Sequence, residues 1–138
     1  MRPAAIGLRH VALFVSDLGA CERFYVDVVG FVVEWRPDSD NVYLRLAGDN
    51  LALHRHRLRG TEEDTVFRAR TGQHFDHLGI AVPRPEDVDA WADHFVAHGL
   101  LLKKSPQTHR DGARSFYIDD PDGNTVQFIY HPPMCSRP

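Results

Sequence analysis

Residues 76–82 read DHLGIAV, and residues 8–15 read LRHVALFV. Both alternate as half-buried strands do, with successive side chains on opposite faces. Val11, Leu13 and Val15 form one apolar face of the earlier stretch, and Leu78, Ile80 and Val82 form the matching face of the later one. The opposite faces carry His10, Ala12 and Phe14, and His77, Gly79 and Ala81. His10 thus falls on His77, and each has small residues beside it. A histidine recurring at one place in two similar segments points to a chain built twice from one unit.

The segments after these two strands are also alike. After the earlier one, Ser16-Asp17 supplies a helix N-cap. Cys21, Phe24, Tyr25 and Val28 then predict a helix over 19–29, which Gly30 suits as an end. Strands are predicted over 31–35, 41–47 and 50–56, the last two as a hairpin through Gly48-Asp49. After the later stretch, Pro85 suits a first helical position. Val88, Trp91, Ala92 and Phe95 form the helical stripe, and Gly99 ends it. Strands over 100–104, 113–118 and 124–130 complete that half, the last two joined through DDPDG. The order strand, helix, strand, strand, strand therefore occurs twice. Module one covers about 7–56 and module two about 75–131, with a polar connector at 57–74 and a tail at 132–138. Residues 105–112, SPQTHRDG, read as a loop able to close over a ligand.

The closing strands, LALHRH and TVQFIY, can be laid together as well, and His54 then falls on Gln127. Ala52, His54 and His56 share the face turned from the helix, as Thr125, Gln127 and Ile129 do. His10, His54, His77 and Gln127 are therefore expected on the faces away from the helices. Each admits an ordinary reading, a strand residue hydrogen-bonded locally, and a functional one. The matched positions of His10 and His77 favour a site. His74, His94, His98, His109 and His131 read as surface residues, as do Arg45, Lys104, Arg110, Arg114 and Tyr117. Trp35 and Trp91 read as packing groups.

Composition limits the function classes. With 138 residues, 43% hydrophobic and 25% charged, the chain has globular composition and enough length for a substantial core. A net charge of −3 gives no electrostatic case for nucleic acid. No apolar run approaches membrane-spanning length, and the start, MRPAAIGLRH, lacks a signal-type apolar region, so a cytoplasmic protein without membrane association is expected. Cys21 and Cys135 form neither a metal nor a redox motif.

Three stretches, HVALFVSDLGACERFYVDVVGF, DHLGIAV and above all SFYIDDPDGNTVQFIY, resemble the vicinal oxygen chelate superfamily. That group includes glyoxalase I, extradiol dioxygenases, fosfomycin-resistance thiol transferases and bleomycin-binding proteins. The resemblance covers roughly residues 7–131. It implies an α+β fold in which two paired βαβββ modules form a cup-shaped mixed sheet with flanking helices. It also implies a homodimer, with the cup closed within one chain or across the dimer. A divalent transition metal such as Zn, Ni, Fe or Mn would sit on the first and last strands of each module. The matching positions are His10, His54, His77 and Gln127.

Two of these depart from the family pattern. Relatives commonly place Glu at the last-strand positions, whereas Gln127 offers a neutral carbonyl oxygen with no usable proton chemistry. A His-His-His-Gln set is neutral, so the cation's charge stays uncompensated and favours an anionic oxygen ligand. The resemblance thus implies a metal-dependent glyoxalase- or dioxygenase-type enzyme acting on a small, oxygen-bearing, anionic substrate, whether a lyase, isomerase, dioxygenase or thiol transferase. His54 or His56 would serve as its base. The alternative is a metal-free small-molecule binding protein of the bleomycin-sequestering type.

Overall fold

The computed structural model describes residues 10–56, 62 and 75–132. The expected connector, apart from Glu62, and most of the tail lie outside the described residues, as do His74 and Cys135. The chain divides into two compact units, Met1–Phe67 and Arg68–Pro138. No helix among the described residues is long and apolar enough to cross a membrane.

The first unit runs β1 (His10–Val15), α1 (Leu18–Arg23), β2 (Val32–Asp38), β3 (Asn41–Arg45) and β4 (Asn50–Arg55). Its sheet order is β1-β4-β3-β2, with β1 parallel to β4 and the other pairs antiparallel. The second unit repeats the plan with β5 (His77–Ala81), α2 (Pro85–Ala97), β6 (Leu102–Thr108), β7 (Arg114–Asp119) and β8 (Thr125–Tyr130), in the order β5-β8-β7-β6. The architecture is α+β, with two βαβββ modules each carrying a four-stranded mixed sheet.

Alternation decides which face is buried. In module one Leu13, Val15, Val42, Leu44, Leu51 and Leu53 are buried against Leu18, Cys21, Phe24 and Tyr25. Asp17 caps α1, its Oδ1 accepting from the Ala20 N–H at 2.9 Å. The helix expected over 19–29 is α-helical only to Arg23. It widens into a π-helix over Phe24–Val29, closed by Gly30 at a φ of 100°. The wider turn seats Tyr25 fully inside, with edge contacts to Phe24 at 5.0 Å and Phe31 at 5.7 Å.

Module two buries Val88, Ala92 and Phe95 of α2 on Phe116, Ile118, Val126 and Phe128. Phe116 and Phe128 stack at 5.3 Å, and Trp91 packs on Phe128 at 5.0 Å, the packing role expected of it. Arg114, expected on the surface, clamps α2 to β7 instead. Its guanidinium donates to both carboxylate oxygens of Asp89, at 2.8 and 2.6 Å, and holds that carboxyl below its ordinary pKa.

The outer strands are longer than expected. β6 runs to Thr108, so the first half of the anticipated loop at 105–112 is strand. The remainder is a tight turn in which His109 N–H donates to Ala113 C=O at 2.7 Å. The edge strands β2 and β6 each contain a proline, Pro37 and Pro106, within the same irregular stretch of pairing.

The DDPDG segment forms a closed turn around Asp120, a buried carboxylate. Its Oδ1 accepts from the N–H groups of Asp122 at 2.8 Å and Asn124 at 2.9 Å, and its Oδ2 accepts from Asn124 Nδ2 at 3.0 Å. Gly123 takes the left-handed conformation the turn requires, at a φ of 82°. Asp120→Ala leaves these donors without their acceptor and is expected to cost about 1–3 kcal/mol in urea unfolding. Asp120→Asn, which keeps one acceptor oxygen, should lose less. Equal stability of Asp120→Ala and the parent chain would show that the turn does not depend on this carboxylate.

Candidate functional site

Each module turns one sheet face away from its helix, and the four expected residues lie on these faces. In module two, His77 pairs with Thr125 and Gly79 with Gln127. His77 and Gln127 are therefore diagonal neighbours on adjacent strands, about 7–8 Å apart at the backbone. In module one, His10 pairs with Asn50 and Phe14 with His54. His54 thus lies four residues beyond the partner of His10, about 13 Å along the strand. Module two brings its pair together; module one does not.

The same registers revise the equivalence read from sequence. Ala12 pairs with Ala52 where Gly79 pairs with Gln127. The position equivalent to Gln127 is Ala52, and His54 corresponds to Ile129. The neighbouring strands agree, since Tyr43 pairs with Ala52 and Tyr117 with Gln127. A shift of two residues keeps every side chain on its face, so alternation could not detect it.

Three histidines are held in one way. His10 Nδ1 lies 2.6 Å from Asn50 Oδ1, and Asn50 Nδ2 donates to Glu34 Oε2 at 2.8 Å. His54 Nδ1 lies 2.5 Å from Asn41 Oδ1, and Asn41 Nδ2 donates to both oxygens of Asp38, at 2.8 and 3.0 Å. The carboxylates can only accept, so each amide turns its oxygen to the imidazole. His77 Nδ1 bonds directly to the Asp76 carboxylate. In all three the acceptor requires the proton on Nδ1. The lone pair of the neutral ring is then on Nε2, which makes no hydrogen bond with another described residue. The Asp38 carboxyl is held below its ordinary pKa, mainly by the Asp40 N–H and then by Asn41.

Gln127 is oriented as well. Its Nε2 donates to the Tyr117 hydroxyl at 2.9 Å, and its Oε1 lies over Gly79, 3.8 Å from where a Cβ would stand. That oxygen accepts no hydrogen bond from a described residue. The Tyr117 ring meets His77 edge-on at 5.4 Å, and Lys104 Nζ lies 5.5 Å from its centroid. Tyr117 and Lys104 were expected to be solvated surface residues. The signal that marks them is their row, since Lys104, Tyr117, Gln127 and Gly79 lie side by side across the sheet.

Module one's corresponding row is Trp35, Tyr43, Ala52 and Ala12. Trp35, expected to pack inside, stacks on Tyr43 at 5.1 Å and remains 59% exposed. Phe14, 65% exposed, contacts the rings of His54 at 6.1 Å and His56 at 5.4 Å. His109, read as a surface residue, lies 2.8 Å from the buried Ser115 hydroxyl.

No three His, Cys, Asp or Glu side chains gather as metal ligands among the described residues. The donor chemistry, by contrast, does fit a metal. His77 offers a free Nε2 backed by a carboxylate, the usual outer support of a metal-bound imidazole, and Gln127 offers a free carbonyl oxygen beside it. Nitrogen-15 NMR of the imidazoles above their pKa should find His10, His54 and His77 as the Nδ1–H tautomer. Asn41→Leu should release His54 alone to the Nε2–H form. An unchanged His54 spectrum in that variant would break the chain of carboxylate, amide and imidazole.

The sequence pattern of the Glyoxalase/Bleomycin resistance protein/Dioxygenase superfamily matches residues 7–128. A trivalent organoarsenical cleaving enzyme from Bacillus sp. (strain MD1) is 30% identical over 143 residues, covering 91% of this chain and 80% of the relative. A lactoylglutathione lyase structure from Agrobacterium tumefaciens superposes with a TM-score of 0.73 at 24% identity, covering 96% of this chain and 98% of the other. A glyoxalase/bleomycin resistance protein/dioxygenase from Alicyclobacillus acidocaldarius superposes at 0.67 with 22% identity, covering 91% of each chain. These two structures share the fold. With its two βαβββ modules and a pattern match across nearly its whole length, the chain belongs to the Glyoxalase/Bleomycin resistance protein/Dioxygenase superfamily.

Proposed function

We propose that this chain is a metal-dependent enzyme acting on a small, oxygen-bearing, anionic substrate. The observation that carries the reading is the uniform setting of His10, His54 and His77, each with Nδ1 bonded and Nε2 left as a lone pair. The ligand candidates are His10 in module one, and His77 and Gln127 in module two. Sequence alone groups His54 with them. Its register, two residues past the equivalent of Gln127, suits it better to the role of a base, with His56 beside it. The donors suit a divalent transition metal such as Zn, Ni, Fe or Mn, which when bound would hold substrate oxygens and stabilise developing negative charge. The similarity to an enzyme that cleaves trivalent organoarsenicals supports a catalytic role. A cytoplasmic homodimer is part of the same proposal.

The chain's own residues then have definite tasks. Asn50 with Glu34, and Asp76, fix the tautomers of His10 and His77. Tyr117 fixes the rotamer of Gln127. Asn41 with Asp38 keeps the His54 Nε2 free to take a proton.

A second reading is favoured by one observation. Module one has the buried Ala52 at the position equivalent to Gln127, and the same sheet carries the exposed rings of Phe14 and Trp35. That arrangement suits a metal-free protein that binds small apolar molecules.

Elemental analysis of protein purified without chelator separates the two. His94 and His98, whose rings lie 4.3 Å apart on or beside α2, are replaced by Gln throughout so that surface uptake does not count. The enzyme reading expects bound transition metal, lost by about tenfold or more in affinity in His10→Ala and in His77→Ala. Gln127→Glu, which restores a carboxylate, should tighten binding. Metal content that is negligible, or unchanged in both alanine variants, overturns the assignment and leaves the binding-protein reading.

A further inference from the structure

Both modules carry the same bulge in the edge strand, and opposite charges emerge from it. In β2, Val33 pairs with Leu44 and Trp35 with Tyr43, leaving Glu34 as the extra residue. In β6, Leu102 pairs with Ile118 and Lys104 with Tyr117, leaving Lys103 extra. A bulge re-aims side chains, and here it swings the extra residue onto the face turned from the helix. Glu34 accepts from Asn50 at 2.8 Å. Lys103 donates to Thr125 Oγ1 at 2.7 Å and to Asp119 Oδ1 at 3.2 Å. Asn50 and Thr125 are the equivalent partners of His10 and His77. At these equivalent places module one therefore carries a carboxylate and an indole, where module two carries two ammonium groups.

The two lysines differ in how their charge is met. Lys103 is paired with Asp119. Lys104 forms no ion pair with a described residue, and its contact is the face of the Tyr117 ring. Both line a cavity of about 300 Å³, together with Phe75, Asp76, Tyr117 and Thr125. The Asp76 carboxylate is engaged by His77. The cavity thus has two aromatic walls and, at its rim, the Lys104 ammonium without an ion pair to a described residue, alongside Lys103 and Asp76.

We infer that this cavity binds a small carboxylate with an aromatic body, with Lys104 as its charge partner and Phe75 and Tyr117 against its ring. Because Tyr117 touches both His77 and Gln127, a ligand held there lies beside the proposed metal ligands of module two. The inference deepens the enzyme reading by naming the charge and body of its substrate. Its test uses chelator-treated protein, so the two can fail separately.

Benzoate is titrated into the metal-free full chain, with benzamide as its neutral counterpart. Calorimetry gives the affinities, and amide NMR shifts give the location. Benzoate should move the amides of Tyr117, Gly123 and Thr125 and bind about fivefold tighter than benzamide, the effect of one partly exposed charge pair. Lys104→Gln should erase that preference without changing benzamide affinity, and Lys104→Arg should keep it. Absence of benzoate binding, shifts confined to other surfaces, or a preference that survives Lys104→Gln would each overturn the inference.

Discussion

In each module the first strand lies parallel to the last, β1 on β4 and β5 on β8, and a parallel pair cannot be closed by a tight turn. The intervening chain must cross over as a helix and return through two antiparallel strands. That helix covers one face of the sheet and leaves the other open. The core of each module and the identity of its open face follow from this one pairing. So does the neighbour of every candidate side chain, because the register of the parallel pair decides what stands beside His10 and His77.

Much of this was legible in the sequence. The period-two alternation of LRHVALFV and DHLGIAV separates Val11, Leu13 and Val15 from His10, Ala12 and Phe14 without further information. Asp17, Pro85, Gly30 and Gly99 marked helix ends through their own capping chemistry. Register was not legible. Laying LALHRH on TVQFIY matches His54 with Gln127, whereas the hydrogen-bonded ladders match Ala52 with Gln127. The error is invisible to any argument from alternation, since an even slip leaves each residue on its face. The bulges in β2 and β6 escaped for a related reason: an extra residue breaks the alternation that would have revealed the strand. Prolines at 37 and 106 look like strand ends, though each sits inside an edge strand, where a missing N–H costs no ladder bond.

The candidate site was legible as residue types but not as an arrangement. Sequence suggested histidines on the open faces. It could not show that Asn50 and Asn41 stand opposite them, nor that Glu34 and Asp38 stand behind those amides. These outer groups decide the chemistry. An imidazole left to itself exchanges tautomers, but one bonded at Nδ1 to an acceptor presents a lone pair at Nε2 in a fixed direction. Gln127 shows the converse limit. As an amide it can neither neutralise a cation nor move a proton, and its bond to Tyr117 turns the carbonyl oxygen out over Gly79.

The two modules share a plan, and their differences fall at equivalent points. Where one has Ala52, Trp35 and Glu34, the other has Gln127, Lys104 and Lys103. The helix-facing positions, by contrast, are apolar in both apart from Arg114, whose charge is met by Asp89 of α2. Strand pairing on the open face uses the backbone, and the side chains there are tied to one another by local hydrogen bonds that differ between the modules. Duplication therefore fixes the scaffold twice while leaving each open row free to change in size and charge. A pairing frame that is indifferent to those side chains allows an aromatic, acidic face and a basic, amide-bearing face to be built from the same fold.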